Sequence, residues 1–220
     1  MRKRNKLVYG VGINDADYVT QLKQTTGFCD GKQKQKLLKS CKIYQSWKDM
    51  LRRCYSPAFQ QKYPSYKECT VCTEWLRFSN FKAWMDTQDW QGKHLDKDIL
   101  LPGNKLYSPT TCVFVTQKVN KFLIDRKAAR GLLPLGVYHA KRKDMVNELT
   151  KPYMSQLNNG QGKTRYLGMF STPEEAHQAW LASKLELAKS LASEILDEGG
   201  DPRIAQALID RYENYTINCT

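Results

Sequence analysis

The chain has 220 residues, 41% of them hydrophobic and 26% charged, which is the composition of an ordinary soluble globular protein with room for one large domain or two small ones. No apolar run approaches bilayer length, and Leu7–Tyr9, after the basic Met1–Arg4 start, is too short for a secretory signal core; a cytoplasmic protein with no membrane partner is expected. Lys and Arg total 35 against 22 Asp and Glu, a net charge of +13. That surplus points to a polyanionic partner. Nucleic acid is favoured because neutralised phosphates release counterions, and a membrane surface is disfavoured because no basic amphipathic helix with a broad apolar face is visible.

Residues 1–40 read as an N-terminal extension. Leu7–Ile13 is a strand candidate, and Gly10-Val11-Gly12 lacks the later glycine and helix start of a phosphate loop. Gly31-Lys32-Gln33-Lys34-Gln35-Lys36 reads as a basic, solvated loop. In residues 41–92, Tyr44, Trp47, Met50 and Leu51 recur at spacings of three and four, one apolar face of a helix that the Pro57 and Pro64 region breaks. A second helix is predicted from Ser79 to Met85, capped by Ser79 or Asn80, with Phe78, Phe81, Trp84 and Met85 turned inward. At this spacing the aromatics are core, not a base-stacking platform.

The seven cysteines are odd in number and follow no secretion signal, so a disulfide framework is not expected. Cys69-Thr70-Val71-Cys72 has the spacing of half a zinc site but lacks a second close pair. Cys41, Cys54 and Cys112 could complete it only through the fold. Buried thiols are the simpler account, and a structural Zn2+ is the disfavoured one.

Residues 93–126 read as strand, loop, strand and helix. The first strand is His94-Leu95-Asp96-Lys97-Asp98-Ile99, Pro102-Gly103-Asn104 is a turn, Cys112–Val115 is the second strand, and the helix runs from Thr116 or Gln117 to about Arg126. Asp96 closes the first strand and Asn120 lies on the helix; two such oxygen donors can hold a hard divalent cation. Residues 127–135 read as a linker, with Gly131 and Pro134 as stop signals.

This order resembles the ββα-metal core of H-N-H endonucleases, in a diverged form common in phage proteins. The resemblance spans residues 41–126 and includes Trp47, Arg53-Cys54-Tyr55, Val71-Cys72, Trp75, Phe78 and Phe81. It implies a Mg2+ ion held by Asp96 and Asn120, clamping a scissile phosphate. It would place the protein in the host cell cytoplasm if phage-encoded. Two positions depart from the family pattern. Lys97 stands where a histidine normally activates water, and Thr111 stands where a supporting Asn is usual. A lysine is a poor general base unless buried. His94 lies two residues before Asp96 on the same strand face and could serve as a substitute base, or have no role there; Asp98 shares that face and could be an extra ligand. The alternative is that Asp96 and Asp98 cap the turn and Asn120 decorates its helix.

Residues 136–192 change character. Gly136-Val137-Tyr138, Pro152–Leu157 and Thr164–Phe170 are strand candidates, with the turn signal Asn158-Asn159-Gly160-Gln161-Gly162 between the last two. Ser171-Thr172-Pro173-Glu174-Glu175 starts a helix with a hydroxyl cap, an early proline and first-turn carboxylates. Ala176, Ala179, Trp180 and Leu187 mark its buried face. Residues 193–220 form a tail, helical from Asp201 to Tyr212.

The second unit resembles the plant ethylene-response-factor (APETALA-type) DNA-binding domain, which also occurs fused to phage H-N-H endonucleases. Gly136-Val137, Tyr166-Leu167-Gly168, Phe170, Thr172, Glu174-Glu175-Ala176 and Ala179 carry the match. It implies a sheet face in the major groove of double-stranded DNA, and strand alternation puts Tyr138, Ala140, Arg142, Gln156, Asn158, Thr164 and Tyr166 on that face. Lys141 and Lys143 would add phosphate contacts. The family's usual first-strand arginines appear here as Tyr138 and Ala140, so its sequence preference does not carry over. The expectation is therefore an α+β protein: a diverged ββα-metal module plus a small three-stranded sheet packed on one helix. It would be a DNA-binding protein of phage homing-endonuclease type that cleaves or nicks DNA with Mg2+. The alternative is a catalytically inactive, sequence-specific DNA-binding protein or regulator. No oligomeric state is implied.

Overall fold

The computed structural model describes residues 7–124, 132–140, 150–158 and 163–215. It is an α+β structure of two compact units, Met1–Phe114 and Val115–Thr220, whose boundary falls ahead of residues 127–135. No described helix is long and apolar enough to cross a membrane.

The first unit begins with a turn where a strand was expected at Leu7–Ile13. Tyr9 and Gly10 both have positive φ (52° and 81°), and only the bridges Val8–Gly12 and Ile13–Arg77 form. Gly12 is required by close approach: a Cβ there would lie 2.4 Å from Leu51 Cδ1 and 2.9 Å from the Trp47 ring. The basic segment expected to be a loop is instead part of a hairpin. Strands β1 (Gln21–Cys29) and β2 (Lys32–Ser40) pair antiparallel around Asp30-Gly31. Both turn residues have positive φ (50° and 71°), the conformation a two-residue hairpin loop demands. A Lys/Gln alternation carries no hydrophobic period, which is why the strand is hidden in the sequence.

Helix α1 (Lys42–Tyr55) buries Ile43, Tyr44, Trp47, Met50, Leu51 and Cys54, the face its spacing predicts. Pro57 stops α1 but also opens α2 (Pro57–Lys62), where the Ser56 hydroxyl accepts from the Phe59 amide. Helix α3 spans Phe78–Asp86. Its start is not capped by Ser79 or Asn80. The Asp15 carboxylate, distant in sequence, accepts from the Ser79 amide (2.9 Å), the Ser79 hydroxyl (2.8 Å) and Arg77 Nη1 (3.2 Å). Burial pushes the Asp15 carboxyl up, but the Ser79 and Arg77 bonds outweigh it and hold it below the usual value.

The core closes around Trp47, Trp75, Phe78 and Phe81, all 1% exposed or less. Trp47 Nε1 donates to the Trp75 carbonyl at 2.6 Å. Two small sheets complete the unit. One pairs β3 (Thr70–Val71) in parallel with β5 (Leu106–Tyr107); the other pairs β4 (His94–Asp96) with β6 (Val113–Val115).

The second unit opens with the short α4 (Gln117–Phe122), capped by Thr116 Oγ1 on the Val119 amide. Strands β7 (Val137–His139), β8 (Tyr153–Asn158) and β9 (Thr164–Phe170) form an antiparallel sheet in that order. Helix α5 (Pro173–Asp197) crosses it, and α6 (Pro202–Glu213) packs on α5. The Thr172 hydroxyl caps α5 on the Glu175 amide. The helix runs past residue 192 to Asp197 and stops ahead of Gly199, the first glycine after it, which has φ 70°. Its buried face is Ala176, His177, Trp180, Lys184, Ala188, Leu191 and Ala192, while Ala179 and Leu187 lie at its margin. Two polar residues were therefore hidden core positions. The buried His177 Nδ1 donates to the Leu135 carbonyl at 2.8 Å and its ring stacks on Trp180. Lys184 Nζ donates to the Phe122 carbonyl at 2.7 Å and lies 3.4 Å from the Phe122 ring centroid.

Gly136 has φ +77°, and a Cβ there would sit 1.9 Å from Trp180 Cδ1. Gly136→Ala should therefore destabilise by about 2–4 kcal/mol, from overpacking plus left-handed strain, read as a lower urea midpoint. Lys184 gives a pH signature. Burial, and then the nearby Arg211 charge, pull its ammonium from 10.5 down to about 8. Between about 8 and 10.5 the unfolded chain holds a proton that the folded chain has shed, so folding stability rises with pH across that window. Wild type should gain up to roughly 3 kcal/mol relative to Lys184→Met over it, measured by denaturation at a series of pH values.

Candidate functional site

Burial alternates along the expected first strand. Leu95, Lys97 and Ile99 are buried, whereas His94 is exposed and Asp96 and Asp98 are partly so. Period-two geometry thus puts His94 and Asp96 on the solvent side of the strand, and Asp98, just past its end, has a side chain 48% exposed. The regular strand ends at Asp96, earlier than Ile99, because the Asp96 side chain turns the chain. Its Oδ1 accepts from the amides of Asp98 and Ile99, both at 2.7 Å. That is the turn-capping role weighed for Asp96, and it commits one carboxylate oxygen. Oδ2 bonds no described residue.

Lys97 faces inward and is 5% exposed. Its ammonium donates to Asp98 Oδ1 and to the Asn104 carbonyl, both at 2.5 Å, and lies 5.8 Å from the Tyr107 ring centroid. Asn104 answers with Nδ2 donating to the Lys97 carbonyl (2.9 Å) and the Leu106 carbonyl (2.7 Å), while its Oδ1 accepts from the Leu106 amide (3.0 Å). Lys97 and Asn104 therefore staple the connection to β5, and the lysine is engaged structurally where a base would stand. In the sequence Asn104 marks only a turn; its place next to Gly103, which has φ 78°, is the signal of a loop needing side-chain support.

Thr111 lies two residues before β6, not on it. Its hydroxyl donates to the Leu106 carbonyl (2.7 Å) and lies 2.9 Å from Ser108 Oγ. His94 hydrogen-bonds no described residue. Asn120 sits part-exposed on α4 with no described side-chain partner. Asp96 belongs to the first compact unit and Asn120 to the second. Asp96 Oδ2 is the carboxylate oxygen not spent on the turn, a hard donor of the kind Mg2+ takes.

Cys54, Cys69 and Cys112 are buried, Cys41 and Cys72 are partly so, and Cys29 is exposed. Burial pushes Cys54 and Cys112 up to about 12 and raises Cys69 and Cys72 too, which keeps them protonated at neutral pH. Among the described residues no group of three or more His, Cys, Asp or Glu side chains is placed to hold a metal ion.

In the second unit the sheet has two distinct faces. Val137, Ser155 and Leu157 are buried beneath α5. Tyr138 pairs with Met154, Gln156 with Tyr166 and Asn158 with Thr164, so these six side chains share the opposite face. Tyr138 and Tyr166 are 48% and 57% exposed. No carboxylate lies among the described residues of this face. Ala140 follows β7, its amide donating to the Pro152 carbonyl at 2.9 Å. Lys141, Arg142 and Lys143 lie outside the described residues.

No protein-family model matches this chain, and no curated protein or solved structure matches it either.

The turn at Asp96 separates two roles by substitution. Asp96→Asn keeps an acceptor oxygen for the Asp98 and Ile99 amides and should change stability by less than about 0.5 kcal/mol. Asp96→Ala orphans both amides and should cost about 1–2 kcal/mol. Thermal or urea denaturation of the two variants measures the difference.

Proposed function

We propose that the protein binds duplex DNA and is of the H-N-H homing-endonuclease type, with an ethylene-response-factor-like sheet as its reading face. The observation that carries this reading is the solvent face of β7–β9. Two amides, Gln156 and Asn158, stand there with Tyr138, Thr164 and Tyr166 and no described carboxylate, on a chain of net charge +13. The major groove is wide enough to admit strands, and Asn or Gln can pair bidentately with adenine. The ethylene-response-factor resemblance would add Arg142, for a guanine or a phosphate, and Lys141 and Lys143, for phosphates; all three lie outside the described residues.

Gln156→Ala and Tyr166→Ala remove side chains outside the core, so the fold should persist while DNA selectivity drops. The expected loss is about 1–3 kcal/mol of discrimination per base contact, read by competition between a selected duplex and random duplexes. Unchanged selectivity in both variants would remove this face as the reader.

Metal-dependent nicking is the catalytic part of the proposal, supported by the solvent-side placement of His94, Asp96 and Asp98. Asp96 Oδ2 and Asn120 would hold Mg2+, which supplies positive charge for the phosphate when bound. His94, exposed on the same strand, takes the proton from the attacking water; Lys97, spent on Asp98 and Asn104, does not. Nicking of supercoiled plasmid in Mg2+ should be abolished by Asp96→Asn and reduced by His94→Ala, with DNA affinity retained in both. Lys97→His is a poor rescue because it strips the Asn104 carbonyl of its donor. A wild type that never nicks in Mg2+ or Mn2+ leaves the DNA-binding protein without the nuclease.

A further inference from the structure

The β1–β2 hairpin has no role in either site. It is exposed along almost its whole length on both faces, so burial of a core face does not explain its sequence. Residues 21–40 contain five lysines (Lys23, Lys32, Lys34, Lys36, Lys39) and one acid, Asp30 at the tip, a net charge of +4. None of these lysines is ion-paired to a described residue, whereas Arg52, Arg77, Lys82, Lys93, Lys97, Lys118, Lys189 and Arg203 all are.

The charges are also sorted by face. Lys32, Lys34 and Lys36 alternate and so project together, and their cross-strand partners are Cys29, Gly27 and Gln24. Those partners are small or neutral, and a Cβ at Gly27 would meet nothing within 4 Å. The lysine row stands clear. It spans about 13–14 Å at roughly 3.4 Å per residue, the rise of about four phosphates along one DNA strand. The positive field reaches α1, where Lys48 is held below the ordinary lysine value first by burial and then by the Lys23 charge.

We propose that this hairpin is a second duplex-DNA contact: an arm whose Lys32, Lys34 and Lys36 face lies against backbone phosphates. The inference rests on duplex DNA being the partner, but not on the sheet face or on cleavage. A lipid surface fits less well, because the opposite face mixes Phe28 and Leu37 with Gln33, Gln35 and Lys23 and offers no continuous apolar side. An arm of this kind adds affinity and steering without reading sequence.

The test is the salt dependence of binding to labelled duplexes of unrelated sequence. The triple variant Lys32→Gln, Lys34→Gln, Lys36→Gln should bind every duplex more weakly and lower the log–log salt slope by about 2–3. Its unfolding midpoint should stay at the wild-type value, and the corresponding triple Lys→Arg variant should keep wild-type affinity and slope. An unchanged slope in the Gln variant overturns the arm, as does a loss confined to duplex RNA or anionic vesicles. The selectivity competition on Gln156→Ala and Tyr166→Ala, run in parallel, separates the two readings. If selectivity is unchanged in both while the Gln variant binds weakly, the arm stands and the sheet face falls; lost selectivity beside an unchanged slope in the Gln variant sinks the arm alone. Absence of duplex binding by wild type sinks both.

Discussion

The buried indole of Trp47 is the constraint around which the first unit is organised. A fully enclosed N–H must find an acceptor or pay its full desolvation cost, and the carbonyl of Trp75 provides one. That bond ties α1 to the short turn at Thr73–Leu76, from which α3 follows directly. The rings of Tyr44 and Phe78 then close on Trp47, and Trp84 tilts against Trp75 and stacks on Phe114. With the indole fixed, no atom fits beyond the α-carbon at residue 12, and the N-terminal turn must approach as bare backbone. The second unit repeats the logic with other parts: Trp180 lies against residue 136, and the chain there must be glycine in a left-handed conformation.

The candidate carboxylate turn shows how one side chain can serve two ends. Asp96 is the residue that stops β4, and the chain that follows is stapled by the reciprocal bonds of Lys97 and Asn104. The carboxylate is therefore held at a fixed orientation by backbone amides before any ligand arrives. Such preorganisation suits a cation ligand, and it equally suits a turn with no ligand. Stability and chemistry separate only when the charge is removed and the acceptor kept.

The second unit was the most legible in the sequence. Thr164–Phe170 was placed to the residue, and the cap at Thr172 and the alternation of Gln156 and Asn158 follow from local rules. These features depend on neighbours within a few positions, which is the range over which turn chemistry and period-two patterning act. What the sequence hides has two causes. Asp15 caps a helix more than sixty residues away, and Lys184 reads as surface until Phe122 and Tyr212 enclose it, so the decisive partner lies far along the chain or in another element. The β1–β2 ladder is local, but it is built from residues with no apolar period. At the candidate site the outward row of His94, Asp96 and Asp98 was legible by alternation. The sequestering of Lys97 was not, because it depends on where the Asn104 carbonyl lands.

An isolated two-stranded ribbon leaves both its outer edges with unpaired peptide groups, an open template for another strand. Lysines along such an edge repel a second copy as effectively as they attract a polyanion. Phe28, Leu37 and Leu38 are 70%, 46% and 52% exposed on the same ribbon, and the like charge of the neighbouring lysines opposes their meeting in a second copy. Dissolved salt weakens that repulsion within a Debye length of about 8–10 Å. The hairpin thus makes colloidal behaviour a function of ionic strength, with self-association favoured in concentrated electrolyte and suppressed in dilute buffer.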